Sequence, residues 1–341
     1  MKNASIKEVA KLAGVSIATV SRCANNPERV SEETRLRVQA AIAETGYVPH
    51  GLARNLRRGR TNIVMVVIPS IGVPFFGGVM QGIQSAARAE GLSVIIEETQ
   101  FNTIHTDKIG AMLVSRQVDG LILLATVSPF GTEILSNRSK HRIPIVVGCE
   151  TVSADLASLP SVHIDNITAA KEATLYLASQ GHRRIALISG EQGSLLTSDR
   201  ESGYRLAMRE AHLPIEDGWL LHGNLTFTGA MRATRMLIEH PERPTAIFCL
   251  NDDMALACVH EIKRSGLRVP GDISVMGFDD NPYSELADPP LTTVRQPAAE
   301  IGERTLYRLV REIEGRKSHG DGPEYVPHAL VVRQSVGNPT E

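Results

Sequence analysis

From Asn62 onward the chain alternates between short continuous apolar runs and longer stretches with helical periodicity. The runs are IVMVVIP (63–69), SVIIEE (93–98), DGLILLA (119–125), IPIVVG (143–148), RIALISG (184–190), TAIFCL (245–250) and ISVMGF (273–278). Helical stretches lie between them near 75–90, 104–117, 166–180, 198–211, 229–239 and 252–265. A strand that is apolar on both faces must be covered on both faces. Strands of this kind alternating with helices predict doubly wound parallel sheets. About 280 residues is too long for one comfortable core, so two α/β subdomains are expected. No Gly/Ser-rich linker separates them, which predicts a chain that crosses between subdomains more than once. The expected division is an N-subdomain of about 62–161 and 292–325 and a C-subdomain of about 162–291 and 326–341.

The first sixty residues differ in kind. They carry eleven Lys/Arg against five Asp/Glu, whereas the whole chain has 36 against 38 and a formal net charge of −2. A basic head on an acidic body points to a polyanion partner. Ser5 with Glu8 three residues later forms a capping box ahead of Ile6, Val9, Ala10 and Ala13. Gly14 closes that helix and Ser16 caps a second, from about Ile17 to Ala24, with Val20 facing inward. Two short helices joined by a tight glycine turn are a helix-turn-helix. Asn25-Asn26-Pro27 breaks the chain, and a third helix, with Leu36, Val38 and Ile42 apolar, runs from Ser31 to Glu44. A helix-turn-helix domain of 1–48 is thus followed by a segment of 49–61, HGLARNLRRGRT after Pro49, short enough to be only marginally helical alone.

The run SIKEVAKLAGVSIATVSRCANNPERVSEETRLRVQAAIAETGYVPHGLARNLRRGRT resembles the head of the LacI/GalR repressor family at nearly every signature position. The resemblance implies that the second helix enters the major groove of double-stranded operator DNA, where Ile17, Ala18 and Arg22 meet base edges. Arginine pairs bidentately with guanine, while Ile and Ala contact thymine methyls or exclude bases. Ser16, Thr19, Ser21 and Asn25 are then phosphate contacts that set register. The resemblance also makes 49–61 a hinge helix, with Leu56 as an apolar minor-groove wedge and Arg54 and Asn55 serving the backbone. A buried three-helix bundle and a solvated basic linker are the competing readings.

The body resembles the type I periplasmic-binding-protein fold of the same family, through VPFFGGVMQGI (73–83), VHIDNITAA (162–170), RESGY (200–204), PTAIFCLNDDMAL (244–256) and VPGDISVMGFDD (269–280). Ligands of open α/β sheets bind beyond the carboxyl ends of the strands. Those ends supply Phe75, Phe76, Arg200, Asn251 and Asp279. The resemblance assigns the arginine of RESGY and the first aspartate of GFDD, Arg200 and Asp279, to ligand oxygens. A rigid donor fork with a carboxylate acceptor suits a neutral sugar or nucleoside, and the phenylalanines suit stacking. In competition, Phe75 and Phe76 belong to the core, Asp279 caps a following helix, and Arg200 sits in a surface ion pair.

Catalytic motifs are missing: no GxSxG, P-loop, HExxH or GxGxxG occurs, and the histidines lack metal-ligand spacing. Cys23, Cys149, Cys249 and Cys258 form no CxxC. No apolar run is long enough to span a membrane, and the N-terminus lacks a signal-peptide core, so a cytoplasmic protein without cofactor or metal is expected. The reading that results is a homodimeric, or tetrameric, non-enzymatic repressor bound to a pseudo-palindrome and controlled by a small effector. A ligand receptor without a DNA role, and a regulator that needs a corepressor, stand as alternatives.

Overall fold

A computed structural model describes residues 4–47, 60–99, 106–124, 144–150, 159–316 and 322–339. The chain separates into two compact units, Met1–Thr61 and Asn62–Glu341. In the first, α1 (Ile6–Ala13) opens on the reciprocal Ser5–Glu8 capping box and closes on Gly14 in the left-handed region, φ 64°. Helix α2 (Ile17–Asn25) is capped by Ser16, whose Oγ accepts from the Thr19 N–H at 3.1 Å. After a 3-10 turn, Pro27–Arg29, α3 runs Glu32–Thr45. Val9, Ala10, Ala13, Val20, Val38, Ala41 and Tyr47 form the core. Leu36 departs from the inward set, being 57% exposed.

The second unit contains two six-stranded sheets. The elements of the first are β1 (Ile63–Ile68), α4 (Pro74–Ala89), β2 (Ser93–Glu98), α5 (Thr106–Val114), β3 (Gly120–Leu123), β4 (Ile145–Gly148) and β5 (Ser161–His163). Those of the second are α6 (Asn166–Ser179), β6 (Ile185–Ser189), α7 (Leu195–Glu210), β7 (Leu220–His222), α8 (Phe227–Glu239), β8 (Ala246–Cys249), α9 (Asp252–Arg264), β9 (Ser274–Asp279) and β10 (Thr292–Arg295). The chain then returns through α10 (Ala298–Ile313) and β11 (Glu324–Tyr325) to the first sheet and ends in β12 (Ala329–Val331) of the second. The strand orders are β11-β5-β4-β3-β1-β2 and β12-β10-β9-β8-β6-β7.

Three differences from the sequence reading have physical causes. The first sheet includes 161–163 and the second includes 292–295, so the crossings lie just after His163 and at Gln296, and 292–295 does not belong to the N-subdomain. Strand β12 pairs antiparallel with β10, so the second sheet is not wholly parallel. It enters directly from the last crossing without a helix, which leaves it free to run against its neighbour. Strands β5 and β7 are too short, and β10 too rich in threonine, to stand out as apolar runs.

Helix α10 is a further difference, since no helical stretch was expected there. It carries Gly302 in its interior, where glycine costs about 1 kcal/mol relative to alanine. Packing against α4 supplies the reason. A Cβ on Gly302 would fall on the carbonyl of Val79, and one on Gly82 would fall on the carbonyl of Ala299. The two glycines let the helix backbones touch. Gly302→Ala is therefore expected to destabilise the body by about 1–3 kcal/mol, since overpacking outweighs the gain in helix propensity. Chemical denaturation checks this, and an unchanged midpoint would contradict the close approach.

Candidate functional site

Helix α2 presents an exposed face. Ser16, Ile17, Ala18 and Arg22 are exposed, Ile17 by 43%, while Val20 is buried beneath them. Ala18 and Arg22 are four residues apart and share a helix face, with Ile17 beside them. Ile17, exposed at the start of the helix, stands outside the core of the head. Thr19 and Ser21 are half-buried. The Ser16 and Thr19 hydroxyls meet at 2.9 Å, so Ser16 has a capping duty besides any phosphate contact. Asn25 is the last residue of α2, and its side chain lies outside the described set. Arg54, Asn55 and Leu56 also lie outside the described residues.

In the body, Phe75, Phe76, Arg200, Asn251 and Asp279 line a single cavity of about 70 Å³ between the two sheets. The carboxyl ends of the strands build it. Pro69 follows β1, Cys149 and Glu150 follow β4, Leu225 follows β7, Asn251 follows β8, Asp279 ends β9 and Gln296 follows β10. Pro74 starts α4, which sets both phenylalanines at the rim in an edge-on pair with ring centroids 5.4 Å apart. Phe76 is buried in the core and Phe75 packs against it, so packing and lining are both served.

Arg200 is not a surface residue: it is 3% exposed. Its Nε donates to Asn166 Oδ1 at 2.9 Å and its Nη1 to the Leu250 carbonyl at 2.5 Å. The guanidinium carbon lies 3.7 Å from the centroid of the Phe278 ring. These contacts fix the fork in one orientation. Burial pulls its pKa down to about 10, opposed by Asp279, Glu150, Asp199 and Asp252, so it remains a cation at neutral pH.

Asp279 has no helix after it to cap, because β10 is the next regular element. Its backbone sits at φ 122°, a region costly for a residue with a Cβ. Gln296 Nε2 donates to its Oδ1 at 2.7 Å. Burial pushes its pKa up to about 8; Arg200 works against the rise, and Asp252 adds to it. Asp252 lies wholly buried below, accepting from the Thr293 and Ser284 hydroxyls at 2.6 and 2.7 Å and from the Asn281 N–H at 2.8 Å. Its carboxyl anchors the loop after Asp279 from underneath. Asn251 spends much of its amide on structure, accepting from Met254 N at 2.8 Å as the cap of α9 and donating to the Leu225 carbonyl at 3.4 Å.

The sequence reading missed Glu150, Cys149, Leu225 and Gln296 in the lining. Glu150 and Cys149 directly follow a recognised apolar run, so the rule that placed Asn251 would have found them. Among the described residues, no group of His, Cys, Asp and Glu is disposed to hold a metal, and no helix is long and apolar enough to cross a membrane.

Comparison with known proteins agrees with this division. Residues 5–50 match the family described as bacterial regulatory proteins, lacI family, and residues 174–336 match the periplasmic binding protein-like domain. The HTH-type transcriptional repressor CytR of Escherichia coli (strain K12) is 37% identical over 98% of this chain and 96% of its own length. The ribose operon repressor of the same strain is 35% identical over 91% of this chain and 93% of its own. The lac repressor dimer bound to operator and the anti-inducer ONPF superposes with a TM-score of 0.86 at 27% identity, covering 98% of this chain and 100% of that one. A helix-turn-helix head and a two-sheet body, aligned end to end with repressors at this identity, place the chain in the lacI family as a DNA-binding transcriptional regulator.

Proposed function

We propose that the chain is a homodimeric repressor whose operator binding is controlled by a neutral sugar or nucleoside held between Arg200 and Asp279. The observation that carries this is the burial of both groups around one cavity between two sheets, each fixed by a hydrogen-bonded amide. The Arg200 guanidinium donates, the Asp279 carboxyl accepts, and two phenylalanine rings stand at the rim, which is the complement of a hydroxyl-bearing ring. Dimeric assembly is supported by the likeness to the lac repressor dimer, and a two-fold protein calls for a two-fold operator. A thermal-shift panel of ribose, hexoses and nucleosides on the whole chain, followed by operator titration with and without each compound that binds, tests the reading. Absence of any stabilising compound would count against the cavity as an effector site. A compound that tightens operator binding would mark a corepressor.

For the head, we place Ile17, Ala18 and Arg22 on base edges and Ser16, Thr19, Ser21 and Asn25 on phosphates. Arg54 and Asn55 would serve the backbone and Leu56 the minor groove. Arg22→Ala is expected to weaken specific binding by about 1–3 kcal/mol and relax preference at one base pair per half-site. Selection from a randomised operator pool reads this directly. The same motif recovered at the same stringency would reduce Arg22 to a phosphate contact.

A further inference from the structure

A second cavity lies at the other end of the second sheet, where the parallel strands β6, β8 and β9 begin. Arg184 directly precedes β6, Thr245 directly precedes β8, and Asp272 stands two residues before β9. The segment 240–245, which leads from α8 to β8, forms the remaining wall. The volume is about 460 Å³, several times that of the cavity between the sheets. That size suits a small metabolite.

The wall is held in place by its backbone. Pro241 and Pro244 fix two of its φ angles. The Trp219 indole N–H donates to the Glu242 carbonyl at 2.9 Å, and the Glu242 N–H donates to His240 Nδ1 at 3.1 Å. Accepting that bond leaves the imidazole proton on Nε2, which donates to the Asp217 carbonyl at 3.0 Å. Arg184 Nε donates to the Arg243 carbonyl at 3.0 Å, which sets one edge of its guanidinium against the loop. A loop already tied down loses little freedom when a ligand enters.

The charges around the cavity differ in commitment. Asp272 is matched by Arg268, whose Nε and Nη2 donate to its two oxygens at 3.0 and 2.9 Å. These bonds hold the Asp272 pKa down, and Arg243 adds a smaller pull through space. Among the described residues, the Nη groups of Arg184 and the guanidinium of Arg243 make no hydrogen bond, nor does the Glu242 carboxylate. The cavity therefore offers two open guanidinium groups and one open carboxylate.

We propose that this cavity binds the phosphate monoester of a small hydroxyl-bearing metabolite, with the phosphate on Arg184 and Arg243 and a hydroxyl on Glu242. Two planar guanidinium groups supply more donors than one ligand carboxylate can accept, and they match the three terminal oxygens of a phosphate dianion. Glu242 and Asp272 beside them repel a polyanion lying across the surface, which favours a small ester over a nucleic-acid backbone. The full length of β8 separates this cavity from Asn251 in the effector cavity, and the proposal does not depend on the effector reading.

The test uses the full chain with ribose 5-phosphate, adenosine 5′-monophosphate and inorganic phosphate as probes, beside ribose and adenosine. The variants are Arg184→Gln, Arg243→Gln and Glu242→Ala. All three side chains are exposed, and glutamine keeps an N–H for the Arg243 carbonyl, so the fold is expected to survive; heat denaturation confirms it. Calorimetry at low and high salt reads affinity. A phosphorylated probe is expected to bind, and to bind less tightly as salt rises. Each arginine variant is expected to weaken that binding about tenfold or more, as loss of a hydrogen bond to a charged group does, and to leave ribose and adenosine affinity unchanged. Glu242→Ala is expected to narrow the preference for an ester over inorganic phosphate, and an unaltered preference would overturn the hydroxyl contact. The basic head also attracts phosphate, so the arginine variants decide its place. Binding undiminished in both would put the phosphate on the head or in the effector cavity and overturn the proposal. Failure of every phosphorylated probe to bind would overturn it as well, without touching the effector reading.

Discussion

Arg200→Ala is expected to lower effector affinity by about 2–5 kcal/mol while operator affinity in the absence of effector stays unchanged. The loss is large because the group is buried: removing the guanidinium leaves Asp279 facing a ligand without its counter-charge and leaves the Leu250 carbonyl and Asn166 Oδ1 short of a donor. A regulator that cannot distinguish bound from free effector keeps the operator affinity of its free state. Truncation also opens a void beside Phe278, against which the guanidinium stacks. Arg200→Met, which refills that space, separates loss of the contact from loss of fold. Calorimetry for the ligand and a salt-controlled operator titration form the paired measurement. Retained ligand affinity, or operator binding lost in a folded variant, would place the effector elsewhere.

The second large effect is expected at Asp279, and it carries a pH signature. Its carboxyl is pushed up from an ordinary 3.8 to about 8, mainly by burial. Across that interval the folded chain holds a proton that the unfolded chain has released. Stability from this group is therefore greatest at the acid end and declines as pH rises through the interval, levelling off above it. Asp279→Asn mimics the protonated form. The variant should lose that slope and melt at a higher temperature than the unaltered chain above about pH 8. A slope confined to the lower part of the interval will remain, because buried Asp252 is likewise raised, to about 6. Ligand affinity should move the other way. A hydroxyl donating to the carboxylate favours its ionised form, so binding strengthens as pH rises toward 8 and above, and this trend disappears in the variant together with about 2 kcal/mol or more of affinity. Melting curves and calorimetry at several pH values read both effects. Parallel pH profiles of the two proteins would show that Asp279 does not titrate in this window.

Much of the head was legible because its signals are local. Ser5 and Glu8 satisfy each other's backbone donors across one turn, and Gly14 takes a conformation that few other residues tolerate, so three letters define where α1 begins and ends. Leu36 shows where such reading stops. Its helix was legible, but which side of that helix meets the other two depends on their packing, and Leu36 falls outside the contact.

In the body, the apolar runs marked β1, β2, β3, β4, β6, β8 and β9, because strands covered on both faces tend to read as continuous apolar runs. Arg200 and Asp279 could be found because parallel strands bring their carboxyl ends to one side. Tertiary structure alone decided the rest. Gly302 reads locally as a weak point in a helix, and only the carbonyl of Val79 across the interface explains it. Gln296 reads as a polar residue after a threonine-rich segment. Its meaning comes from Asp279, seventeen positions earlier, and from the fact that the chain changes sheets at that residue. Periodicity reports how one element meets solvent and core, whereas a hydrogen bond between elements depends on where the crossings fall, which no single segment encodes.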